Sequence, residues 1–222
     1  MTTLTISTDA LVSAIKRVFP HASTDQTLPA LAAMRFTTKG KYLIVSACDR
    51  YTIGETRLEL SESDAANPVD FLVNAKQLKA LLPALKANPY ATIEPVEDTG
   101  GNGATFNGSM VHGYAAEHYP ATHNLWPDTF ETVSGGNFGM SAANIKKLTA
   151  LPQGRHEKNT PLVFGQGADS NPNKPFVILF GEHTRVLVMP VRVGAWGDDS
   201  TYSSWHESPA VESPASEDSA AA

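Results

Sequence analysis

At 222 residues the chain can bury a sizeable core in one large or two small domains, and 41% hydrophobic against 18% charged residues describes a soluble globular protein. Its one cysteine, Cys48, excludes an intramolecular disulfide framework and fits a reducing cytoplasm. No apolar run reaches the length of a membrane span, and the start Met1-Thr-Thr-Leu-Thr lacks the basic and apolar regions of a secretory leader.

The first predicted element is an alternating strand at Leu4-Thr-Ile6, and Thr8 stands where a helix N-cap belongs. Leu11, Val12, Ile15, Val18 and Phe19 then form one stripe at helical spacing, which Pro20 ends. Strands are predicted at 32–37, 42–47 and 52–60, with Lys39-Gly40 as a turn. A second unit repeats the order, with a strand at 69–73, Asn74 as cap, and a helix carrying Leu78, Leu81, Leu82 and Leu85. Pro83 is expected to kink or shorten that helix. Strands at 92–96, 104–107 and 110–115 follow, with Thr99-Gly-Gly-Asn-Gly103 as a hairpin turn. In a third unit Ser141 caps a helix over 142–150, and strands are predicted at 162–165, 175–180 and 185–193. From Gly194 the chain is rich in Ser, Ala, Pro, Asp and Glu and is expected to be disordered. Trp196, Tyr202 and Trp205 within it read either as chance aromatics or as a short docking motif.

The units are copies. Phe71-Leu-Val-Asn-Ala-Lys-Gln-Leu78-Lys79-Ala-Leu81 lies on Phe138-Gly-Met-Ser-Ala-Ala-Asn-Ile145-Lys146-Lys-Leu148 at an offset of 67. An offset of 66 places Thr8, Val12, Ile15 and Phe19 on Asn74, Leu78, Leu81 and Leu85. A fixed period dictates the architecture. The expected fold class is α+β, built from repeated βαβββ units with helices on one face of antiparallel sheets. Residues 1–117 hold two units, 118–127 a connector, 128–193 the third unit and 194–222 the acidic tail.

The net charge of −6 misleads about nucleic acid, because residues 194–222 hold six acids and no Lys or Arg. The remaining 17 acids and 17 bases balance, so placement decides more than the sum. The three helices carry Lys16, Arg17, Lys76, Lys79, Lys86, Lys146 and Lys147 off their apolar stripes, and Asp9 is their only acid. Stacked side by side, they would present one basic surface able to touch phosphates without reading bases. Other motifs carry little. Asp169-Ser-Asn171-Pro-Asn173 starts like a calcium loop but has Lys174 where glycine belongs and Phe180 where the bidentate glutamate belongs. His112, His118 and His123 lack metal-ligand spacing, Thr99–Gly103 lacks the lysine of a phosphate loop, and Cys48-Asp49 has no histidine fixed beside it. No metal, cofactor or catalytic group is expected. Asn107-Gly-Ser109 is a glycosylation sequon without meaning in the cytoplasm.

Four segments carry a resemblance. Ala22-Ser-Thr-Asp-Gln-Thr-Leu28-Pro29-Ala-Leu31-Ala-Ala-Met34-Arg-Phe36 and Lys39-Gly40-Lys-Tyr-Leu43-Ile-Val-Ser-Ala47-Cys48-Asp49-Arg50-Tyr51 are two of them. Tyr119-Pro120 with Pro127, and Arg185-Val-Leu-Val-Met189-Pro190-Val191-Arg192-Val193, are the others. In order and spacing they resemble the bacterial sliding clamp, the β subunit of the replicative polymerase, in a reduced, phage-like version. The likeness is to that family's middle domain followed by the C-terminal half of its last domain. It implies a non-enzymatic processivity factor that contacts duplex DNA and tethers polymerase and other partners, with a clamp loader as a possible further partner. It implies a peptide pocket of Leu31, Cys48, Arg50, Tyr51, Thr52, Ile53, Pro127, Val188, Met189, Pro190, Val191, Arg192 and Val193. Cys48, Arg50 and Thr52 depart from the family's usual threonine, small residue and arginine. A groove of Leu, Ile, Val and Met with a few polar edges also suits an extended peptide with apolar anchors. Known clamps close about twelve such units into a ring, so three per chain imply a homo-oligomer, with a dimer as the minimal species and four chains for a closed ring. The alternative is a clamp-derived adaptor or competitor that keeps the pocket without encircling DNA.

Overall fold

The structure, a computed structural model, describes residues 2–25, 27–98, 101–132, 139–167 and 174–191. The first unit is β1 (Leu4–Ser7), α1 (Thr8–Val18), β2 (Ala33–Lys39), β3 (Tyr42–Cys48) and β4 (Thr52–Glu59). After a short helix α2 (Glu62–Ala65), the second is β5 (Asp70–Asn74), α3 (Ala75–Leu85), β6 (Tyr90–Asp98), β7 (Gly101–Phe106) and β8 (Ser109–His112). The third is β9 (Glu131–Thr132), α4 (Ala142–Leu148), β10 (Leu162–Gln166), β11 (Phe176–Phe180) and β12 (Thr184–Val188). Short 3₁₀ turns at Phe19–His21, Ala116–His118, Thr122–Leu125 and Arg155–Glu157 punctuate the connections.

Two antiparallel sheets result, one ordered β1-β6-β7-β8 and one ordered β5-β2-β3-β4-β12-β11-β10-β9. The first two units exchange leading strands. β1 leaves its own unit to pair with β6, and β5 pairs with β2, each in antiparallel register. The exchange follows from strands too short to form a stable hairpin alone, each needing a neighbour edge and a shared core. That core gathers Leu4, Leu11, Ile15, Phe36, Val73, Leu78, Leu85 and Phe106 from both units. Phe36 stacks on Phe71 at 5.1 Å and meets Phe106 edge-on at 5.8 Å. Burying each such ring contributes about 1.5–3 kcal/mol. The third unit joins through its last strand. β12 pairs with β4 in the register Thr184↔Thr56 through Val188↔Thr52, extending one sheet to eight strands.

Three sequence expectations are corrected. One offset of 67 relates all three helices, since Ser7, Asn74 and Ser141 precede α1, α3 and α4. Thr8 is therefore the first helical residue, not the cap. Its backbone N–H donates to the Pro89 carbonyl at 2.9 Å, so the neighbouring unit satisfies a helix end that no side chain caps. Asn74 and Ser141 do cap, accepting from the backbone N–H groups of Gln77 and Asn144. Helix α3 runs past Pro83 to Leu85, as long as α1, because the exposed proline sits in the last turns. The closing strand ends at Val188, not Val193, because Pro190 cannot donate to a ladder. Phe138, Thr99-Gly100, the rejected calcium loop at 169–173 and the segment 194–222 lie outside the described residues. Among the described residues no helix is long and apolar enough to cross a membrane, and no group of three His, Cys, Asp or Glu side chains is placed to hold a metal ion.

Candidate functional site

α1 and α3 pack side by side on the two sheets. The segment after α4 reaches α1 through Arg17, whose guanidinium donates to the Leu151 carbonyl at 2.9 Å. Of the seven basic residues singled out, Lys16, Lys76, Lys79, Lys86 and Lys146 are exposed. The Lys79 ammonium stands 4.1 Å from the centroid of the Phe19 ring. The other two depart from a uniform basic face. Arg17 forms an ion pair with Glu157, and Lys147 one with Asp49. Their side chains are only 12% and 15% exposed, because both sit where the first and third units meet. Burial works against the charge on Glu157, but the Gln153 N–H and the Arg17 guanidinium outweigh it and hold its pKa below the ordinary value.

The junction has a polar centre. Asp49 accepts from the backbone N–H groups of Tyr51 (3.1 Å) and Thr52 (2.9 Å) and from the Thr52 hydroxyl (3.0 Å). Lys147 also donates to Thr52 Oγ1 at 2.9 Å, and His21 Nδ1 lies 3.0 Å from the same oxygen. Burial opposes the charge on Asp49, but Lys147 and the Thr52 donors prevail and hold its pKa down. His21 is fully buried, and its pKa falls to about 3, through burial first and the Lys147 charge second. The turn that Asp49 organises leaves Arg50 at φ +80°, a left-handed conformation that costs a side-chain-bearing residue about 1–2 kcal/mol.

The residues expected to form a peptide pocket are divided among several environments. Leu31, Cys48 and Ile53 are buried in one cluster with Ala33, Leu72, Tyr119 and Leu187, and Leu28, Tyr114 and Trp126 pack against them. Burial raises the Cys48 pKa, so its thiol is no nucleophile. Thr52 belongs to the polar centre, and Val188 lies inside the third unit's own core, so neither lines a groove. Arg192 and Val193 fall outside the described residues. Leu31 sits at the wall of an open groove of about 280 Å³, with Leu28, Pro29, Ala30, Tyr114, His118 and Pro120. Arg50, Tyr51, Met189 and Val191 are exposed, and Pro127 and Pro190 are half-buried. The Met189 N–H donates to the Tyr51 carbonyl at 2.8 Å, which ties the two segments together.

The sequence reading missed the connector's anchoring. Trp126 donates to Glu55 at 3.2 Å and lies under the Arg185 guanidinium at 3.9 Å, while Arg185 bonds Glu55 at 2.7 and 2.9 Å. The signal was present as two aromatic–proline pairs, Tyr119-Pro120 and Trp126-Pro127, in an otherwise polar stretch.

No protein-family model matches the chain, and a search of curated protein sequences returns no match. Solved structures do match. A DNA polymerase sliding clamp from Bacillus subtilis superposes with a TM-score of 0.65 at 16% identity, covering 86% of this chain and 64% of that one. The DNA polymerase III beta chain from Streptococcus pneumoniae gives 0.64, 16%, 86% and 65%, and a sliding clamp from Pseudomonas aeruginosa 0.64, 13%, 86% and 67%. The chain thus has the clamp fold and spans about two thirds of the length of these proteins.

Proposed function

We propose that this chain is a sliding-clamp-like processivity factor that touches duplex DNA without reading its sequence and tethers partner proteins by their peptides. The observation that carries the reading is the helix row. Five exposed lysines lie on α1, α3 and α4 or cap them, the helices' only acid is Asp9, and the fold they decorate is that of DNA polymerase clamps. Ammonium groups on long side chains neutralise phosphates as point charges, a sequence-independent and salt-dependent interaction. The apolar groove beside Leu31 suits an extended peptide with apolar anchors, and Tyr51 and Met189 add exposed apolar surface where the first and third units meet. A polymerase or a clamp loader would supply such a peptide. The reading involves no cofactor and no catalytic step, and places the protein in the cytoplasm with the replication machinery.

The test is retention on circular duplex DNA. Log affinity should fall with log salt at a slope near −0.9 per phosphate neutralised. Reversing Lys16, Lys76, Lys79 and Lys86 to Glu should abolish retention while the circular dichroism spectrum stays unchanged. Retention that survives all four reversals removes the helix row from the account.

A further inference from the structure

The outer face of the eight-stranded sheet is covered at one end and open at the other. Strand register puts Tyr42 and Ile44 of β3, Glu55 and Arg57 of β4, Leu179 of β11 and Arg185 of β12 on this face. Leu43 and Val45, which alternate with them, point the other way into the core that the helices cover. The connector covers the end at Ile53 and Leu187 with Tyr119 and Trp126. Past Trp126 the face opens into a groove of about 750 Å³, bounded by the turns Lys39-Gly40-Lys41 and Gly181-Glu182-His183. Half-buried Tyr42, Ile44 and Leu179 line it. Its Lys and Arg side chains are Lys39, Lys41, Arg57 and Arg185, against two acids, Glu55 and Glu182. Lys41 pairs with Glu59 and Arg185 with Glu55, whereas Lys39 and Arg57 make no ion pair among the described residues.

The covered end shows what such a face receives. Trp126 lies under the Arg185 guanidinium at 3.9 Å and donates to Glu55, and both of these partners also line the groove. Arg57 repeats the cationic half of this arrangement two residues along β4. Its guanidinium lies on the Tyr42 ring at 4.8 Å and donates to His183 Nδ1 at 3.4 Å, and the residue is exposed. A guanidinium beside apolar side chains takes an aromatic ring, and a surplus of bases takes carboxylates. The chain has three tryptophans. The two besides Trp126 are Trp196 and Trp205, in a segment, 194–222, that holds six acids and no Lys or Arg. Reach selects between them. The last described residue, Val191, lies just past β12, and the groove lies at the other end of that strand, about 17 Å back. Trp196 is five residues beyond Val191 and spans at most about 18 Å, whereas Trp205 is fourteen beyond and spans up to about 50 Å.

We propose that the segment around Trp205 docks in this groove of its own chain, with the indole against Arg57, Ile44 and Leu179 and the neighbouring carboxylate of Glu207 facing Lys39 and Lys41. Docked there, the acids are held on the side of the sheet away from the helix lysines. The docking does not depend on DNA or peptide binding, and its failure would leave the helix-row reading standing.

Proton–nitrogen correlation NMR of the full chain tests it through the three indole N–H resonances, assigned with Trp196→Phe and Trp205→Phe. The expected result is a Trp205 resonance displaced from its random-coil position and unmoved by dilution. Arg57→Glu should return it to that position, and so should Lys39→Glu at the exposed turn, while the backbone amides of the helices stay where they were. A wild-type Trp205 resonance at the random-coil position overturns the proposal. A displaced resonance that both groove variants leave in place also overturns it, and its loss in Lys76→Glu and Lys79→Glu instead would put the segment on the helix row. A displacement that disappears on dilution overturns docking within one chain and assigns the groove to the same segment of a second copy.

Discussion

Gly54 and His21 hold each other in place. A Cβ on Gly54 would fall inside contact distance of the His21 ring carbons, and that ring is buried without room to move. Gly54→Ala should therefore destabilise the protein by about 1–3 kcal/mol in urea denaturation, although alanine suits a strand better than glycine. His21 also makes stability depend on pH. Its folded pKa is about 3 against an ordinary 6.5, so the unfolded chain binds the extra proton between those values. The stabilisation is complete above 6.5 and is lost as pH falls towards 3. Between pH 7 and pH 5.5 the unfolding free energy should drop by about 1 kcal/mol on this account alone. Asp49 and Glu157, whose pKa values are depressed, add losses in the same direction at lower pH. His21→Leu should start less stable and flatten the slope over that window. An equally steep slope in the variant would assign it to other groups.

At the scale of elements, helices and strands were legible because period and caps are local. The stripes of α1 and α3 and the caps Asn74 and Ser141 needed no tertiary knowledge. The one-residue slip at Thr8 came from a rule about side-chain caps, where the chain uses the Pro89 carbonyl of another unit. Arg17 and Lys147 looked like their exposed neighbours because Glu157 and Asp49 are about 140 and 98 residues away in sequence. Which of the pocket candidates stay open was not legible for a related reason. Cys48 and Ile53 were placed on the pocket's walls, but Tyr119 is buried in one cluster with them, and nothing local says that a connector will fold back onto a seam. What stays open is the groove beside Leu31. A labelled peptide of the Gln-x-x-Leu-Phe kind should bind there, and Leu31→Glu should weaken it at least tenfold, since an apolar anchor contributes more than about 1–2 kcal/mol. Met189→Ala should weaken it as well. Undiminished binding to both variants would put the partner's site elsewhere.

For the whole molecule, the exchange of leading strands between units one and two has a consequence for unfolding. Neither unit keeps its outer ladder or its share of the common core without the other, so residues 4–112 should melt as one cooperative block with no half left standing. Hydrogen exchange should give the amides of β1 and β6 the same protection as those of β2 and β5.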